Sequence, residues 1–497
     1  MKTTMERQIL SKNWIWFWSG NWPLLDNVYE VSPECQENFK RITGVYPRYS
    51  ACFFKEGILT VFHSQEEYDR MEKQFLKNFE RDPKFILKSL ANYDKRTRKD
   101  LKELSKIRKI NFSKLQSVEI TNVYIKSIKH FIFNSTYDHY CWYLEKYFIP
   151  ILENYLKRRL KELGEEEKLS EYLILFVTPQ KKSRVYNERK DFFSIINKIK
   201  TNKAVNVDKL IKDHVRKYCY LSVLVNNPPT TKEDTWKEIK TYLENNEAFR
   251  IESVRLGDIF EKETKKKVNK LLKKLKPNKR IKLLIEGLRE TAYIRTEDNA
   301  VMGLSTFLIM PMQNEIAKRL GLTYYELKEL LPEEIIYYLK NNLQVPRKLI
   351  KDKLKASFYF VHEKNRYIFQ GKEAEKYYKL LDKKTKTKYV KELKGTPASI
   401  GRTVGTAFVA KSSSTLKEFE KGGILVAPAT SADFVPVMRK ASAIITEMGG
   451  ITSHAGIISR EFNVPCLVGV KNATDIIKTG DKIEVDANKG IIKILDS

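Results

Sequence analysis

The 497-residue sequence predicts a multidomain protein: a largely α-helical body with a small α+β N-terminal part, followed by a compact C-terminal α/β domain. Three observations predict it. Apolar residues recur at three- and four-residue spacing through most of residues 120 to 350, the period of helices with one buried face. Ten of the twenty glycines fall between Gly401 and Gly490, where the apolar runs shorten to strand length. Between these regimes lies "KGTPASIGRTVG", whose Gly, Pro and Ser residues are turn formers. The divisions that follow are residues 1–115 for the mixed N-terminal region, 116–393 for the helical body, 394–405 for a linker and 406–497 for the C-terminal domain.

Taken in order, "YSACFFKEGILTVFHS" reads as a hairpin with Lys55, Glu56 and Gly57 at its turn. "SQEEYDRMEKQFLKNF" follows as a helix opened by Ser64, with Glu67 at capping-box spacing. In the body, "YDHYCWYLEKYFIPILENYLKRRLKEL" and "DTWKEIKTYLENNEAF" carry the helical period. The stripe Tyr140, Trp142, Tyr143, Tyr147 and Phe148 reads as a helix-packing face rather than a stacking platform. A second helical block runs from "IEGLRETAYIR" to "NEIAKRLG". Thr323 with Glu326 then forms another capping box, and Pro332 suits a first helical turn. "SFYFVHEKNRYIFQGKEA" alternates as a short hairpin. Beyond the linker come six β-type runs, from "TAFVA" to "GIIKIL", with helical pieces near residues 431–440 and 452–462.

The net charge of +30 does not by itself predict a nucleic-acid partner. Residues 396–497 hold 12 Lys/Arg against 10 Asp/Glu, so nearly all the excess lies upstream. There it reads as lysine on helical faces interleaved with Glu, a solvated surface, and nucleic acid is not favoured. The aromatic run "NWIWFWSGNW" is broken by Ser19, Gly20 and Asn21 and lacks a small-residue cleavage site, which argues against a membrane span or export signal. Five scattered cysteines, never paired as C-x-x-C, fit neither a disulfide framework nor a zinc site. A cytoplasmic protein with no metal of its own is expected.

One short stretch concentrates chemistry: "EMGGITSHAGIISREFNVPCLVG", residues 447 to 469. "AIIT" before it is a buried strand. Gly449 and Gly450 open backbone paths closed to other residues, and Thr452 or Ser453 can cap the helix that follows. His454 then falls in the first helical turn, where backbone N–H groups and the positive end of the helix dipole converge. A phosphoryl group on that imidazole finds donors there, and imidazole is nucleophilic near neutral pH. A lone histidine at a strand-to-helix turn is more often a structural cap, so the flanking residues must decide.

Those residues, from "GILVAPATSADFVPVMRKASAIITEMGGITSHAG" through "REFNVPCLVG" to "TGDKIEVDANKG", resemble the mobile, swivelling phosphohistidine domain of phosphoenolpyruvate-utilising enzymes. That family includes phosphoenolpyruvate synthase, pyruvate phosphate dikinase and rifampin phosphotransferase. The resemblance implies a β/β/α swivelling domain in which His454 is phosphorylated and Gly449, Gly450, Thr452 and Ser453 shape its turn. Fainter similarity to the helical region of rifampin phosphotransferase-like proteins, at "LRETAYIRTEDN" and "EIAKRLGLTYYELKELL", offers Arg289, Glu290 and Arg295 as an acceptor pocket. A surface salt network explains those three as well. Arg439 is a further phosphate contact to consider, with helix-end charge as its plain alternative.

Relatives that charge the histidine use an ATP-grasp module or a phosphoenolpyruvate-binding barrel placed after the swivelling domain. The 43 residues beyond His454 leave no room for that barrel, and the ten glycines of residues 1–395 never come closer than 13 residues, so no phosphate cradle is evident. The sequence therefore predicts a phosphotransferase component needing a separate ATP-grasp-type or phosphoenolpyruvate-binding partner. ATP or phosphoenolpyruvate is the ultimate donor, Mg²⁺ enters through the partner, and a small-molecule acceptor binds the body. The competing expectation is a non-catalytic regulatory or scaffolding protein that keeps the domain and binds a partner through its basic body.

Overall fold

The structure, a computed structural model, describes residues 6–7, 9–20, 32–55, 58–201, 206–225, 227–244, 258–362, 365–381, 391–411, 413–430, 434–451 and 453–495. Near the N-terminus lie β1 (Trp14–Gly20), α1 (Pro33–Thr43), β2 (Tyr49–Lys55), β3 (Ile58–Ser64), α2 (Gln65–Arg81), α3 (Phe85–Leu90) and α4 (Tyr93–Ile107). The β2–β3 hairpin pairs antiparallel as expected, with Glu56 and Gly57 of its turn outside the described residues. Ser64 accepts the Glu67 N–H at 3.3 Å, which makes half of the capping box. The Glu67 carboxylate turns instead to Arg48 at 2.8 Å and Arg70 at 2.6 Å.

The first sheet takes the antiparallel order β1-β3-β2-β4-β5, with β4 spanning Ser357–His362 and β5 Asn365–Gln370. The hairpin read at the end of the body thus completes the N-terminal sheet, and residues 1–115 are not a unit separate from 116–393. Leu331, Tyr359 and Val361 bury one face of it together with Cys52, Phe54, Leu59 and Val61. Such pairing, about three hundred residues apart in sequence, leaves no trace in local periodicity.

Two long helices carry the body, α5 (Ser117–Leu163) and α11 (Lys279–Arg319), each with a proline inside, Pro150 and Pro311. Between them in the chain lie α6 (Leu169–Val177), α7 (Arg184–Thr201), α8 (Val207–Tyr218), α9 (Lys232–Glu244) and α10 (Asp258–Leu275). Four of the five residues of the α5 aromatic stripe form a packing face: Tyr140, Tyr143, Tyr147 and Phe148 are buried in one cluster with Phe39, Phe75 and Phe79, while Trp142 is partly exposed and outside it. After α11 come α12 (Tyr324–Leu327), α13 (Pro332–Lys340), α14 (Arg347–Lys355) and α15 (Gly371–Leu381). Thr323 and Glu326 form the reciprocal capping box, and Pro332 occupies the first turn of α13. Among the described residues no helix is long and apolar enough to cross a membrane.

Residues 394–405, expected as a linker, are instead woven into the C-terminal domain. They contribute to β6 (Glu392–Lys394), β7 (Thr396–Ser399) and β8 (Arg402–Val409). The remaining elements are β9 (Ile424–Ala427), α16 (Val435–Met438), β10 (Ala443–Thr446), α17 (His454–Phe462), β11 (Cys466–Val468), α18 (Ala473–Ile476), β12 (Lys482–Asp486) and β13 (Ile491–Ile494). Their order is β6-β13-β12-β8-β9-β10-β11-β7. Only Gly395 separates β6 from β7, so the sheet doubles back until its two end strands run into each other. A Cβ on Gly395 would lie 2.4 Å from the Val470 side chain, which is why a glycine makes that crossing. Pro397 is tolerated because β7 pairs on one side only. One core fills the space between the two halves of the sheet and a second lies under α16 and α17, giving β/β/α layers.

Candidate functional site

The site begins with two parallel strands. β9 and β10 are fully buried and pair in parallel, with Thr446 opposite Ala427. Parallel neighbours end on the same edge of a sheet, so the segments after them emerge side by side. Glu447 N–H donates to the Ala427 carbonyl at 3.2 Å and Met448 N–H to the Pro428 carbonyl at 3.0 Å. That alignment carries Thr430 to His454. The Thr430 hydroxyl oxygen lies 3.0 Å from His454 Nδ1.

His454 is the first residue of α17 and is partly exposed. Ser453 is the N-cap, its hydroxyl accepting the Gly456 N–H at 3.2 Å. Gly449 has φ +100°, and a Cβ there would lie 2.7 Å from the Ser453 side chain; at Gly450 a Cβ would meet open space. Of the two glycines, only Gly449 is demanded by geometry. Thr452 lies outside the described residues. Glu447 ties the start of the turn to α18, accepting from Thr474 N–H and Oγ1, both at 2.7 Å. Burial pushes its carboxyl above the usual range, and the two Thr474 bonds only partly oppose this.

A strand edge, a glycine turn and a histidine at a capped helix start now stand together, and they coincide with a known family. Residues 419–490 match the family model for the mobile domain of PEP-utilising enzymes. This mobile-domain region is 45% identical over 102 residues to "Probable phosphoenolpyruvate synthase" of Staphylothermus marinus, covering 20% of this chain and 12% of that protein. It is 44% identical over 117 residues to the protein of the same name in Pyrococcus horikoshii, covering 22% and 14%. "Pyruvate kinase 2" of Synechocystis is 43% identical over 109 residues, covering 22% and 18%. The chain thus spans less than a fifth of the length of these relatives. The upstream likeness to rifampin phosphotransferase-like proteins falls outside the matched region.

The mobile domain rests against the body through the histidine turn itself. Ile451 is 1% exposed and belongs to the body's main cluster, with Leu173 and Phe176 of α6. Arg439 adds a second contact: it lies 3.6 Å from Glu238 of α9, with its guanidinium 5.1 Å from the Tyr242 ring and 4.9 Å from the Phe462 ring. Phe462 ends α17, about 12 Å along the helix from His454. Arg439 therefore bridges the two units rather than facing the imidazole.

The other arginines have partners inside the body. Arg289 is buried and closes the C-terminal end of α6, its Nε donating to the Phe176 carbonyl at 3.0 Å. Arg295 pairs with Glu145 at 2.5 Å and lies 4.0 Å over the Trp142 ring. Glu290 pairs with Lys181. The three are not gathered into a pocket.

Three further residues belong to the turn. Thr430 is 24 positions from His454, and no spacing rule links them. Gly456 lets the Ile451 carbonyl approach: a Cβ there would lie 2.5 Å from that oxygen. Arg460 Nη1 donates to the carbonyls of Ile451 at 2.5 Å and Ala398 at 3.0 Å, fastening the turn to β7. Among the described residues no group of three His, Cys, Asp or Glu side chains is placed to hold a metal.

Proposed function

We propose that the protein is a phosphotransferase component that carries a phosphoryl group on His454. It moves the group between a donor site on a separate ATP-grasp-type or phosphoenolpyruvate-binding protein and a small acceptor bound by the helical body. The observation that carries this reading is the partly exposed His454, held through Nδ1 by Thr430 at the start of a capped helix inside a matched mobile domain. In the tautomer whose Nδ1–H donates to the Thr430 hydroxyl, the nucleophilic lone pair resides on Nε2.

In the first step Nε2 attacks the donor phosphorus in line, and the donor P–O bond breaks with its electron pair leaving on oxygen. In the second, an acceptor oxygen attacks the same phosphorus. The N–P bond returns its pair to Nε2, and the acceptor's proton leaves to a base or water. The positive end of the α17 dipole favours the negative charge of the transferred group. With a nucleotide donor, Mg²⁺ would be held by the partner rather than by a residue group of this chain and would supply charge neutralisation. The five cysteines, all buried and unbridged, suit a cytoplasmic setting.

The test is incubation of the purified protein with labelled ATP or phosphoenolpyruvate, alone and with an ATP-grasp protein encoded nearby. Acid-labile, base-stable label is expected that disappears in His454→Ala and forms at least tenfold more slowly in Thr430→Val. Label that survives His454→Ala refutes the assignment. No label under any condition favours the non-catalytic scaffold.

A further inference from the structure

The body's positive charge is not evenly solvated. Between Glu263 and Glu286 stand ten Lys and Arg residues and no Asp or Glu; all ten side chains are exposed, and Lys274 among them pairs with Glu165 from outside the stretch. Val268, Leu271 and Leu275 hold α10 to the body by its opposite face, so the lysines from Lys265 to Lys274 line its outer surface. α10 is about 27 Å long. The strip does not stop where α10 ends. Lys276, Lys279, Arg280 and Lys282 continue it, and Arg280 lies 5.0 Å over the Phe79 ring, which brings the start of α11 against the end of α2. Gly287 of α11 touches Ile86 of α3 closely enough that a Cβ would lie 2.8 Å away.

The same stretches of α2 and α3 that α11 packs against also line a cleft of about 400 Å³, with Arg41, Arg81 and Lys88 among its residues. Asn78, Asn92, Phe85 and Tyr137 supply amide and aromatic groups to it, beside Ile42 and Ser89. The only acid in that lining, Asp82, is paired with Lys88 at 2.6 Å.

We propose that the body binds single-stranded nucleic acid, with the phosphate backbone along α10 and the start of α11 and a base received by the cleft. Exposed cations over this length match a run of phosphates, and amide and aromatic groups at its end match the edge and face of a base. An acidic protein surface would use the cations but has no use for the cleft.

Fluorescence anisotropy with a labelled oligonucleotide of about twenty residues tests this with the full chain. About five phosphate contacts give a slope of log affinity against log salt near −3.5. Lys276→Glu with Lys279→Glu on the strip, and separately Arg81→Glu at the cleft, alter exposed side chains. The pair should flatten the slope by about 1.4 and weaken binding at least tenfold. Arg81→Glu should weaken binding to single strands more than to a duplex. Unchanged binding in both variants, a flat salt dependence in the wild type, equal affinity for duplex, or equal competition by polyglutamate each overturns the proposal.

Discussion

Replacing Ile451 by alanine tests whether the histidine turn is itself what holds the mobile domain against the body. The side chain is 1% exposed and packs in the body's cluster, not in either core of its own domain. Removing three carbons at about 0.8 kcal/mol each takes roughly 2.4 kcal/mol from the docked arrangement, or about 50-fold in the docking equilibrium. Arg439→Ala removes a half-screened ion pair and a stacked cation, worth together about 1 kcal/mol and a further fivefold. Single-molecule energy transfer between dyes at two exposed positions, Lys212 on α8 and Lys421 before β9, reads the docked fraction directly. The docked population should fall in Ile451→Ala and further in the double variant, while thermal unfolding of the C-terminal domain stays within a few degrees. An unchanged transfer distribution with a sharply lowered unfolding temperature would show that Ile451 serves its own domain's core, and the docking argument would fail.

Glycine replacements at the turn should separate by geometry: Gly456→Ala forces a shift of the Ile451 carbonyl and should destabilise by about 1–3 kcal/mol, whereas Gly450→Ala meets open space and should be nearly neutral, both read from urea midpoints. Acid should loosen the N-terminal sheet, because burial, reinforced by the facing His139 imidazole at 3.3 Å, holds His63 well below its ordinary pKa. A base depressed in the folded state contributes its stability above the unfolded value of about 6.5, and that contribution is lost at up to about 1.4 kcal/mol per pH unit as pH falls below it. Urea midpoints between pH 6.5 and 5 should follow that slope, and His63→Phe should flatten it.

Where structure is local, the sequence announced it. The Thr323–Glu326 box, Pro332, the β2–β3 and β4–β5 hairpins and the C-terminal strands from β9 onward all follow from short-range propensity and spacing. The histidine turn was legible for the same reason, since strand, glycine, cap and helix succeed one another within a dozen residues. Residues 394–405 read as a linker because their Gly, Pro and Ser content signals turns, while pairing with β11, β12 and β13 overrides it. The Thr430–His454 contact depends on parallel pairing of β9 with β10, which no window of sequence displays. Arg289, Arg295 and Arg439 were visible as charges, but their partners, the α6 carbonyls, Glu145 and Glu238, lie more than a hundred residues away.

The doubling back of the C-terminal sheet has an architectural result. Ile494 N–H donates to the Lys391 carbonyl at 2.9 Å, so the first and last strands of the domain start and finish side by side. A unit with adjoining ends can be grafted into a surface loop of an unrelated host without stretching either, provided the cut is made ahead of Lys391. A graft trimmed at residue 406 would discard β6, β7 and the first half of β8, exposing unsatisfied backbone along β13 and β11 and inviting aggregation.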